Sequence, residues 1–266
     1  MTQVHELIAD DGSGLSFLGD IAVKLRDVSL EQLTGVPSAA AESSNALIKI
    51  RIAGSRTDPA PQTQALVRRR YAERGYEVPA ASPDANLYTV AAYDQGQLVG
   101  TVGVRVDSAR RLGADDLYPA ELAALRIRGL DLCEFTRLAV DDSALTKTVL
   151  ASLFHTAYLY AHRLCGVDAA VIEVNPRHVP FYIRALQFER IGPERHHRRV
   201  DAPAVLLYVP FERIAAGVAR FAGKPELAAN TRTLYPYGFS PAEEAGILNR
   251  LRLQHEARLR QSALLH

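Results

Sequence analysis

Two charged residues interrupt an apolar run that is typical of a β-strand. The segment LCEFTRLAV, residues 132–140, carries Glu134 and Arg137 among side chains that suit a protein core. Burying a charge costs free energy unless the charge is paired or takes part in chemistry. A carboxylate can accept a proton, whereas a guanidinium does not deprotonate and instead holds a carboxylate through parallel hydrogen bonds. The pattern makes this segment the first candidate for a reactive site.

The geometry of a strand limits how these two charges can interact. Residues three apart point to opposite faces, so an ion pair between Glu134 and Arg137 requires a bulge or a twist. Glu134 could instead pair with one of the consecutive arginines Arg68, Arg69 and Arg70, purely to stabilise the fold. The sequence allows both interpretations, a carboxylate that handles substrate and a structural ion pair.

The elements that would position these residues alternate between strands and helices. Strands are predicted at 46–54, 132–140, 169–175 and 200–211, with a β-hairpin at 87–108. Helices are predicted from about Pro59 to Gly75, and at 114–129, 146–166 and 179–188. This order predicts an α/β fold with a mixed sheet.

The chain divides into three regions. Residues 1–45 are rich in Ser, Ala, Gly and Asp, and we expect a loosely ordered leader with at most short helical pieces. The regular pattern fills residues 46–212. Residues 213–266 are expected to form a helical extension, in which Ser240-Pro241-Ala242-Glu243 has the pattern of a helix N-terminus.

Composition and charge argue against several classes of protein. The formal net charge is +1, which gives no overall indication of binding to nucleic acid or to a membrane. Two cysteines make no disulfide framework, and no Cys/His spacing suggests a metal site. The sequence lacks the pattern of a signal peptide or a transmembrane helix, so a cytoplasmic location is expected.

Six stretches, taken together, resemble one group of acyltransferases. They are VRRRYAERGY, QLVGTVGVRVDS, CEFTRLAV, LFHTAYLYAHRL, IEVNPRHVPFYIRALQFERIG and RVDAPAVLLYVPF. They are similar to the Gcn5-related N-acetyltransferase (GNAT) superfamily. The more specific similarity is to FeeM-type long-chain N-acyl amino acid synthases and the related LuxI-type acyl-homoserine-lactone synthases. The resemblance covers about residues 46–212 and implies a GNAT fold, with a mixed, mostly antiparallel sheet flanked by helices. The tail stretch LYPYGFSPAEEAG also looks like the extension of some family members.

The resemblance implies where the reaction takes place. In such folds two neighbouring strands, here near 132–140 and 169–175, splay apart to admit the phosphopantetheine arm of the donor. Glu134 and Arg137 match a Glu-x-x-Arg pattern of the homoserine-lactone synthases, in which the acid is proposed to accept the proton of the amine. Tyr182 matches a tyrosine that can protonate the departing thiolate, and core packing is the alternative use for it.

The remaining site residues are also implied by the resemblance. The candidate substrate-binding residues are Arg70, Tyr71, Arg137, Asn175 and His178. The candidate donor-binding residues are Leu138, Val140, Thr146, Lys147 and Thr148. His155 faces the apolar side of the long helix and is expected to be a core residue.

Two departures from the family pattern affect these expectations. Coenzyme A-dependent relatives carry a glycine-rich loop for the pyrophosphate, whereas this chain has DDSALTKTVLAS, in which Asp141 and Asp142 are expected to repel a pyrophosphate. This favours a donor bound to an acidic acyl carrier protein, which the basic stretches 68–70 and 195–199 would contact transiently. Gln187 stands where relatives have glycine, so the local turn is expected to differ.

The sequence therefore predicts an enzyme. It would be an N-acyltransferase that moves a medium or long fatty acyl group from an acyl carrier protein or coenzyme A thioester to the α-amine of an amino acid. We expect no metal, no tightly bound cofactor, no nucleic-acid partner and no integral membrane segment. The alternatives are an acyl-homoserine-lactone synthase, an acetyl-CoA-dependent acetyltransferase, and an inactive module that binds an acyl carrier or another ligand.

Overall fold

The computed structural model describes residues 16–24, 47–54, 61–73, 75, 84, 86–142, 146–198 and 201–263. The strands are β1 (Ser16–Lys24), β2 (Leu47–Gly54), β3 (Leu87–Asp94), β4 (Gln97–Val106), β5 (Leu132–Val140), β6 (Ala169–Val174), β7 (Glu189–Arg190), β8 (Arg195–His197) and β9 (Ala202–Pro210). The helices are α1 (Pro61–Ala72), α2 (Pro119–Ile127), α3 (Lys147–Tyr158), α4 (Val179–Leu186), α5 (Phe211–Phe221) and α6 (Pro241–Ala263). A π-helical segment, Leu159–Leu164, continues α3, and short 3₁₀ helices lie at Gly113–Asp116, Pro176–His178, Pro225–Asn230 and Tyr235–Tyr237.

The strands form one sheet in the order β1-β2-β3-β4-β5-β6-β9-β7, and β8 pairs with β9. Within the part of the chain that the structure describes, β5 and β6 are the only neighbouring strands that run parallel. A parallel pair needs a crossover, which α3 provides. The mixed, mostly antiparallel sheet flanked by helices that the sequence predicts is confirmed.

The two faces of the sheet carry separate hydrophobic cores. The larger core lies against α3, α4 and α5, and the smaller core lies against α2 and includes Tyr118. Side chains alternate along β5, so Cys133 and Phe135 point into the larger core and Leu132 points into the smaller one. The same alternation places Glu134 on the α2 face of the sheet.

Part of the expected N-terminal leader belongs to the sheet. β1 pairs with β2 in antiparallel fashion and extends the sheet by one strand. The expectation of short helical pieces is wrong for these residues, because SFLGDIAVK has apolar residues at the spacing of a strand and lies along the edge of β2. The rest of the leader, 1–15 and 25–45, lies outside the described residues, and the boundaries of the three regions stay predictions.

The chain after β9 folds back onto the helices of the larger core. The N–H of Leu234 donates to a carbonyl of α4 at 2.9 Å, and the N–H of Phe239 donates to Nδ1 of His155 in α3 at 3.1 Å. As predicted, α6 begins with a capping box in which Ser240 and Glu243 exchange hydrogen bonds. Among the helices of the described residues, none has both the length and the apolar character needed to cross a bilayer.

Candidate active site

Strands β5 and β6 part soon after they begin. Their parallel pairing runs only from Leu132–Ala169 to Glu134–Val171, although both strands continue beyond it. On its other side β5 stays paired with β4 up to Val140, so the sheet opens only between β5 and β6. We call this gap the fork. It is the splay that the resemblance implies, and Glu134 stands where it begins.

Glu134 is 4% exposed and is held by two donors. Its Oε2 accepts hydrogen bonds from Nη1 of Arg105 at 2.9 Å and from the N–H of Gly113 at 2.6 Å. Nε of Arg105 donates in turn to Oδ2 of Asp84 at 2.7 Å. Burial lowers the pKa of Arg105, but the carboxylates of Glu134 and Asp84 outweigh burial and hold this pKa above its usual value. None of the described residues donates to Oε1 of Glu134, so one carboxylate oxygen can meet a substrate.

Arg105, rather than one of Arg68, Arg69 and Arg70, is the structural partner of Glu134. The sequence held a signal for it, since Arg105 is a lone charge in the apolar alternation VGVRV. The sequence analysis did not identify Gly113 as the second donor to Glu134. A Cβ atom there would lie 2.6 Å from Nη1 of Arg105 and 3.0 Å from Oε2 of Glu134, so glycine is needed for this close approach.

Arg137 lies in a β-bulge. Arg137 and Leu138 of β5 together oppose the single residue Val102 of β4. The φ angle of Arg137 is 51°, in the left-handed region that costs a non-glycine residue about 1–2 kcal/mol. The bulge that an ion pair with Glu134 would require is therefore present, yet Glu134 pairs with Arg105. Backbone strain of this kind is concentrated at functional sites.

The guanidinium of Arg137 has no carboxylate within ion-pair distance among the described residues. Burial lowers the pKa of Arg137, and the positive charge of Arg105 lowers it further, while Asp84, Tyr71 and Glu134 act in the opposite direction. The side chain is thus close to the Glu134 cluster without joining it. A half-buried guanidinium in this position can bind the carboxylate of a substrate.

Comparison with known proteins assigns the chain to a family. A family model for the N-acyl amino acid synthase FeeM matches residues 62–210, more than half of the chain. The chain belongs to the FeeM family. It is accordingly an acyltransferase of the N-acyl amino acid synthase type, and the resemblance drawn from the six stretches is confirmed.

One solved structure adds to this assignment. The structure of FeeM from uncultured soil microbes is 28% identical, with a TM-score of 0.56, and the match covers 63% of this chain and 97% of FeeM. This match confirms the fold that the sequence predicts. The AHL synthase LasI is 15% identical (TM-score 0.44, 62% of this chain, 90% of LasI). NAA60 of Arabidopsis thaliana, solved in complex with acetyl-CoA, is 13% identical (TM-score 0.45, 62% of this chain, 99% of NAA60). No curated protein sequence matches the chain.

In this FeeM-family chain, two arginines of α1 hold the aspartates that follow β5. Arg69 pairs with Asp141 at 2.5 Å, and the buried Arg70 pairs with Asp142 and, at 2.5 Å, with Glu73. The hydrogen bond to Asp142 raises the pKa of Arg70 despite its burial. Arg70 points inward, as expected, but its guanidinium fastens α1 to the end of β5. The expected repulsion between the two aspartates and a pyrophosphate loses its basis, because both carboxylates are paired with arginines.

Three further predicted residues form apolar contacts along β5. Tyr71 packs on a small cluster around Ala139 and is close enough to Arg137 to influence its pKa. Leu138 and Val140 pack against the larger core. Tyr71 thus lies near Arg137, Leu138 and Val140 contribute to the core, and the binding roles predicted for the three residues stay predictions.

The start of α3 contacts the C-terminal segment. Thr146 is the N-cap, and its Oγ1 accepts a hydrogen bond from the first turn of α3 at 3.1 Å. The ammonium of Lys147 lies 5.4 Å from the ring centroid of Tyr237, and burial lowers the pKa of Lys147. Thr148 is buried. Thr146 and Lys147 thus have structural partners, and donor binding by this segment stays a prediction.

The predicted residues after β6 divide between a turn and the core. Oδ1 of Asn175 accepts a hydrogen bond from the N–H of Arg177 at 3.2 Å, and Nε2 of His178 lies 3.2 Å from Nε of the same arginine. Tyr182 is 6% exposed and packs edge-on against Phe154 in the larger core. Asn175 and His178 therefore shape the turn that leaves β6, whereas Tyr182 lies on the α3 face of the sheet.

Gln187 ends α4 in the left-handed conformation, with φ 60° and ψ 27°. This is the conformation for which glycine is preferred after a helix. Gln187 therefore adopts a positive φ although it carries a Cβ atom, and it bears the strain that this conformation imposes.

The basic stretch 195–199 is engaged by the protein's own carboxylates. Arg195 pairs with Glu121 of α2 at 2.7 Å. Nε2 of His196 lies 3.0 Å from Asp201. These contacts leave less of the stretch to meet an acidic carrier than the sequence suggests, and docking of a carrier on this FeeM-family protein stays a proposal.

An apolar cavity lies on the α3 face of the fork. Its enclosed volume is only about 20 Å³, which is room for about one water molecule. It is lined by Phe135 of β5, by side chains of α3 and of the end of α4, and by residues of α5 and the segment that follows. His155, expected to be a core residue, is buried and forms part of the lining.

Proposed function

We propose that this protein transfers a medium or long fatty acyl group from an acyl carrier protein thioester, or from coenzyme A, to the α-amine of an amino acid. The products are an N-acyl amino acid and a free thiol. The observation that supports this proposal is the combination of charges at the fork. Glu134 is oriented by Arg105 and Gly113, and Arg137 has no carboxylate partner among the described residues.

In this proposal Arg137 binds the carboxylate of the acceptor. A guanidinium offers parallel N–H donors that match the two oxygens of a carboxylate, which fixes the orientation of an amino acid as well as its position. The α-amine is separated from that carboxylate by one carbon atom. An acceptor held by Arg137 therefore carries its amine into the cluster around Glu134.

Glu134 then takes a proton from the α-ammonium, because only a neutral amine is nucleophilic. The amine nitrogen bonds to the thioester carbonyl carbon, and the C–S bond breaks as the tetrahedral intermediate collapses. Of the three ammonium protons, one stays on the amide nitrogen, one reaches the thiolate, and one passes from Glu134 to solvent. Tyr182 is the proposed proton donor to the thiolate: its phenol protonates the sulfur, and the resulting tyrosinate takes up the second of these ammonium protons.

The fork would receive the pantetheine arm of the donor. Beyond Glu134, the edge of β5 that faces β6 has no β6 partner, so its backbone groups can bond to the amides of the arm. Carrier-bound and coenzyme A thioesters share this arm. The absence of glycine from residues 141–152 supports a carrier-bound donor, whereas the pairing of Asp141 and Asp142 removes the charge argument against coenzyme A.

The test supplies the purified protein with acyl carrier protein and coenzyme A thioesters of several chain lengths and with a panel of amino acids. Mass spectrometry should detect N-acyl amino acids above the level of a Glu134→Ala control. The absence of such product with every pair of substrates overturns the proposal. If a homoserine lactone forms, the protein is an acyl-homoserine-lactone synthase. If only acetyl groups are transferred, it is an acetyltransferase. If acyl carrier protein binds without turnover, it is an inactive binding module.

A further inference from the structure

The N–H of Gly113, one of the two donors to Glu134, belongs to the segment between β4 and α2, residues 107–118. We propose that Arg126 of α2 is a positioning residue that fixes this N–H on Glu134 and thereby orients the base. This inference rests on the proposed function, since it takes Glu134 to accept the proton of the amine. Arg126 bonds to two aspartates of the segment, so it acts on Glu134 through the segment.

The guanidinium of Arg126 joins the two ends of this segment. Its Nε donates to Oδ2 of Asp107, directly after β4, at 2.6 Å. Its Nη1 and Nη2 donate to the two carboxylate oxygens of Asp115 at 2.6 Å and 2.7 Å. Each of the three side chains is 20% exposed or less, so water competes little for these bonds. Because the guanidinium is planar and rigid, it sets the distance between the start and the end of the segment.

Asp115 transmits this constraint to Gly113. Its Oδ2 also accepts a hydrogen bond from the N–H of Leu112 at 2.9 Å. Burial raises the pKa of Asp115, but the hydrogen bonds from Arg126 and Leu112 outweigh burial and hold this pKa below its usual value. Leu112 is 3% exposed and Ala114 is fully buried in the smaller core. Gly113 lies between these two residues, so their placement fixes the direction of its N–H.

The contact between Gly113 and Glu134 tolerates little displacement. The N–H of Gly113 lies 2.6 Å from Oε2 of Glu134, and hydrogen bonds weaken steeply as their distance and angle depart from the optimum. Arg105 donates to the same oxygen, so the two donors together direct Oε1 of Glu134 to the substrate. A shift of the segment would cost Glu134 its second donor and leave the carboxylate free to rotate about the first.

The test follows the amide of Gly113 by nuclear magnetic resonance. Leucine labelled with ¹³C at the carbonyl and glycine labelled with ¹⁵N select the amides of Leu-Gly pairs, of which the sequence has two, at 18–19 and 112–113. A short hydrogen bond to a carboxylate moves an amide proton downfield, and Glu134→Gln, which weakens the acceptor, identifies the Gly113 signal. Arg126→Met and Asp115→Asn should each move this signal upfield. Arg126→Lys, which keeps the charge, should move it less.

The matched control is Glu121→Gln. It makes the same change from carboxylate to amide as Asp115→Asn, and Glu121 also holds an arginine through both oxygens, but that arginine is Arg195. The Gly113 signal and kcat should both stay unchanged in this variant. In the active enzyme, Arg126→Met should lower kcat about tenfold and leave KM for the amino acid nearly unchanged, because Arg137 is not affected.

Circular dichroism identifies the variants that fold, and Arg126→Lys and Asp115→Asn carry the test if Arg126→Met does not. An unchanged Gly113 signal in the folded variants overturns the inference, and so does an unchanged kcat where the signal has moved. A signal that moves in these variants but not in Glu121→Gln supports the inference even where the wild type forms no N-acyl amino acid. That last outcome removes the proposed function alone.

Discussion

Nη1 of Arg105 lies 2.9 Å from Oε2 of Glu134, and the two residues stand directly opposite each other on β4 and β5. This cross-strand pair explains how a carboxylate is accommodated within a core strand. Asp84 shares the same guanidinium, so two carboxylates and one arginine leave one net negative charge, which Arg137 balances. A zwitterionic amino acid adds no net charge to this cluster, which fits the acceptor that we propose.

Replacement of Glu134 by glutamine should lower the catalytic rate with little effect on the stability of the fold. Glu134→Gln keeps an acceptor for the N–H of Gly113 but removes the base, and Arg105 keeps its bond to Asp84. We expect kcat to fall by about a hundredfold or more, with a smaller effect on KM. Steady-state kinetics and thermal unfolding measure both effects.

Glu121→Gln is the matched control, because Glu121 also pairs with an arginine but lies on α2. It should lower the unfolding temperature slightly and leave kcat unchanged. Equal losses of kcat in the two variants would contradict a catalytic role for Glu134.

Arg137 should be required for acceptor binding but not for the fold. Arg137→Gly removes the guanidinium and also relieves the left-handed strain, so the unfolding temperature should stay the same or rise. We expect KM for the amino acid to rise about tenfold to a hundredfold. Arg137→Lys, which keeps the charge without the paired donors, should give an intermediate KM. An unchanged KM in both variants would show that the carboxylate is bound elsewhere.

Arg70, which the sequence suggested as a substrate residue, should prove structural. Arg70→Met removes the ion pairs with Asp142 and Glu73, both of which are well exposed. We expect a loss of about 1 kcal/mol or less in the free energy of unfolding and no change in KM for the acceptor. Arg68→Met, at an exposed position of the same helix, is the control and should change neither quantity. If KM for the acceptor rises in Arg70→Met but not in Arg68→Met, Arg70 binds substrate after all.

The sequence predicted the elements around the candidate site better than it predicted the contacts within it. Glu134 and Arg137 are conspicuous because charges are rare in a core strand, and the resemblance supplied the fork. Arg105 stands out in the sequence as a lone charge, but its pairing with Glu134 does not, because the bulge at Arg137 shifts the register of two strands whose paired residues lie 29 positions apart. The pairing of Arg70 with Asp142, 72 positions apart, is likewise a product of the folded chain.

Glycine in place of Gln187 should stabilise the folded protein, because residue 187 has a left-handed backbone conformation. Gln187→Gly removes a steric penalty of about 1 kcal/mol, which corresponds to a rise of about 2–4 °C in the unfolding temperature for a chain of this size. Activity should be unchanged. Gln97→Gly, on an exposed strand position, is the matched control and should give no rise. A lower unfolding temperature in Gln187→Gly would mean that the side chain of Gln187 contributes more than its backbone costs.

Acid should weaken the attachment of the C-terminal segment. Nδ1 of His155 accepts from Phe239, so its proton is on Nε2, which lies 3.4 Å from Oε2 of Glu244. The interaction with His155 lowers the pKa of Glu244, burial opposes it, and the charge of Arg163 lowers the pKa further. Because this pKa is lower in the folded state, the stabilisation is complete above the unfolded value, about 4.3, and is lost as the pH falls through the folded value.

Thermal unfolding at stepped pH measures this effect. Below about pH 4.3 the unfolding temperature of the wild type should fall more steeply than that of Glu244→Gln. Glu212→Gln, at an exposed position of α5, should follow the wild type. Parallel curves for wild type and Glu244→Gln would contradict this prediction.

The charged cluster is assembled from parts of the chain that are far apart in sequence. Arg105 on β4 and Glu134 on β5 come together only when these two strands pair, and the N–H of Gly113 joins them from the segment between the strands. The base of the proposed reaction is therefore absent from the unfolded chain. On our proposal, the correct pairing of β4 with β5 and the ability to catalyse are gained in the same folding event.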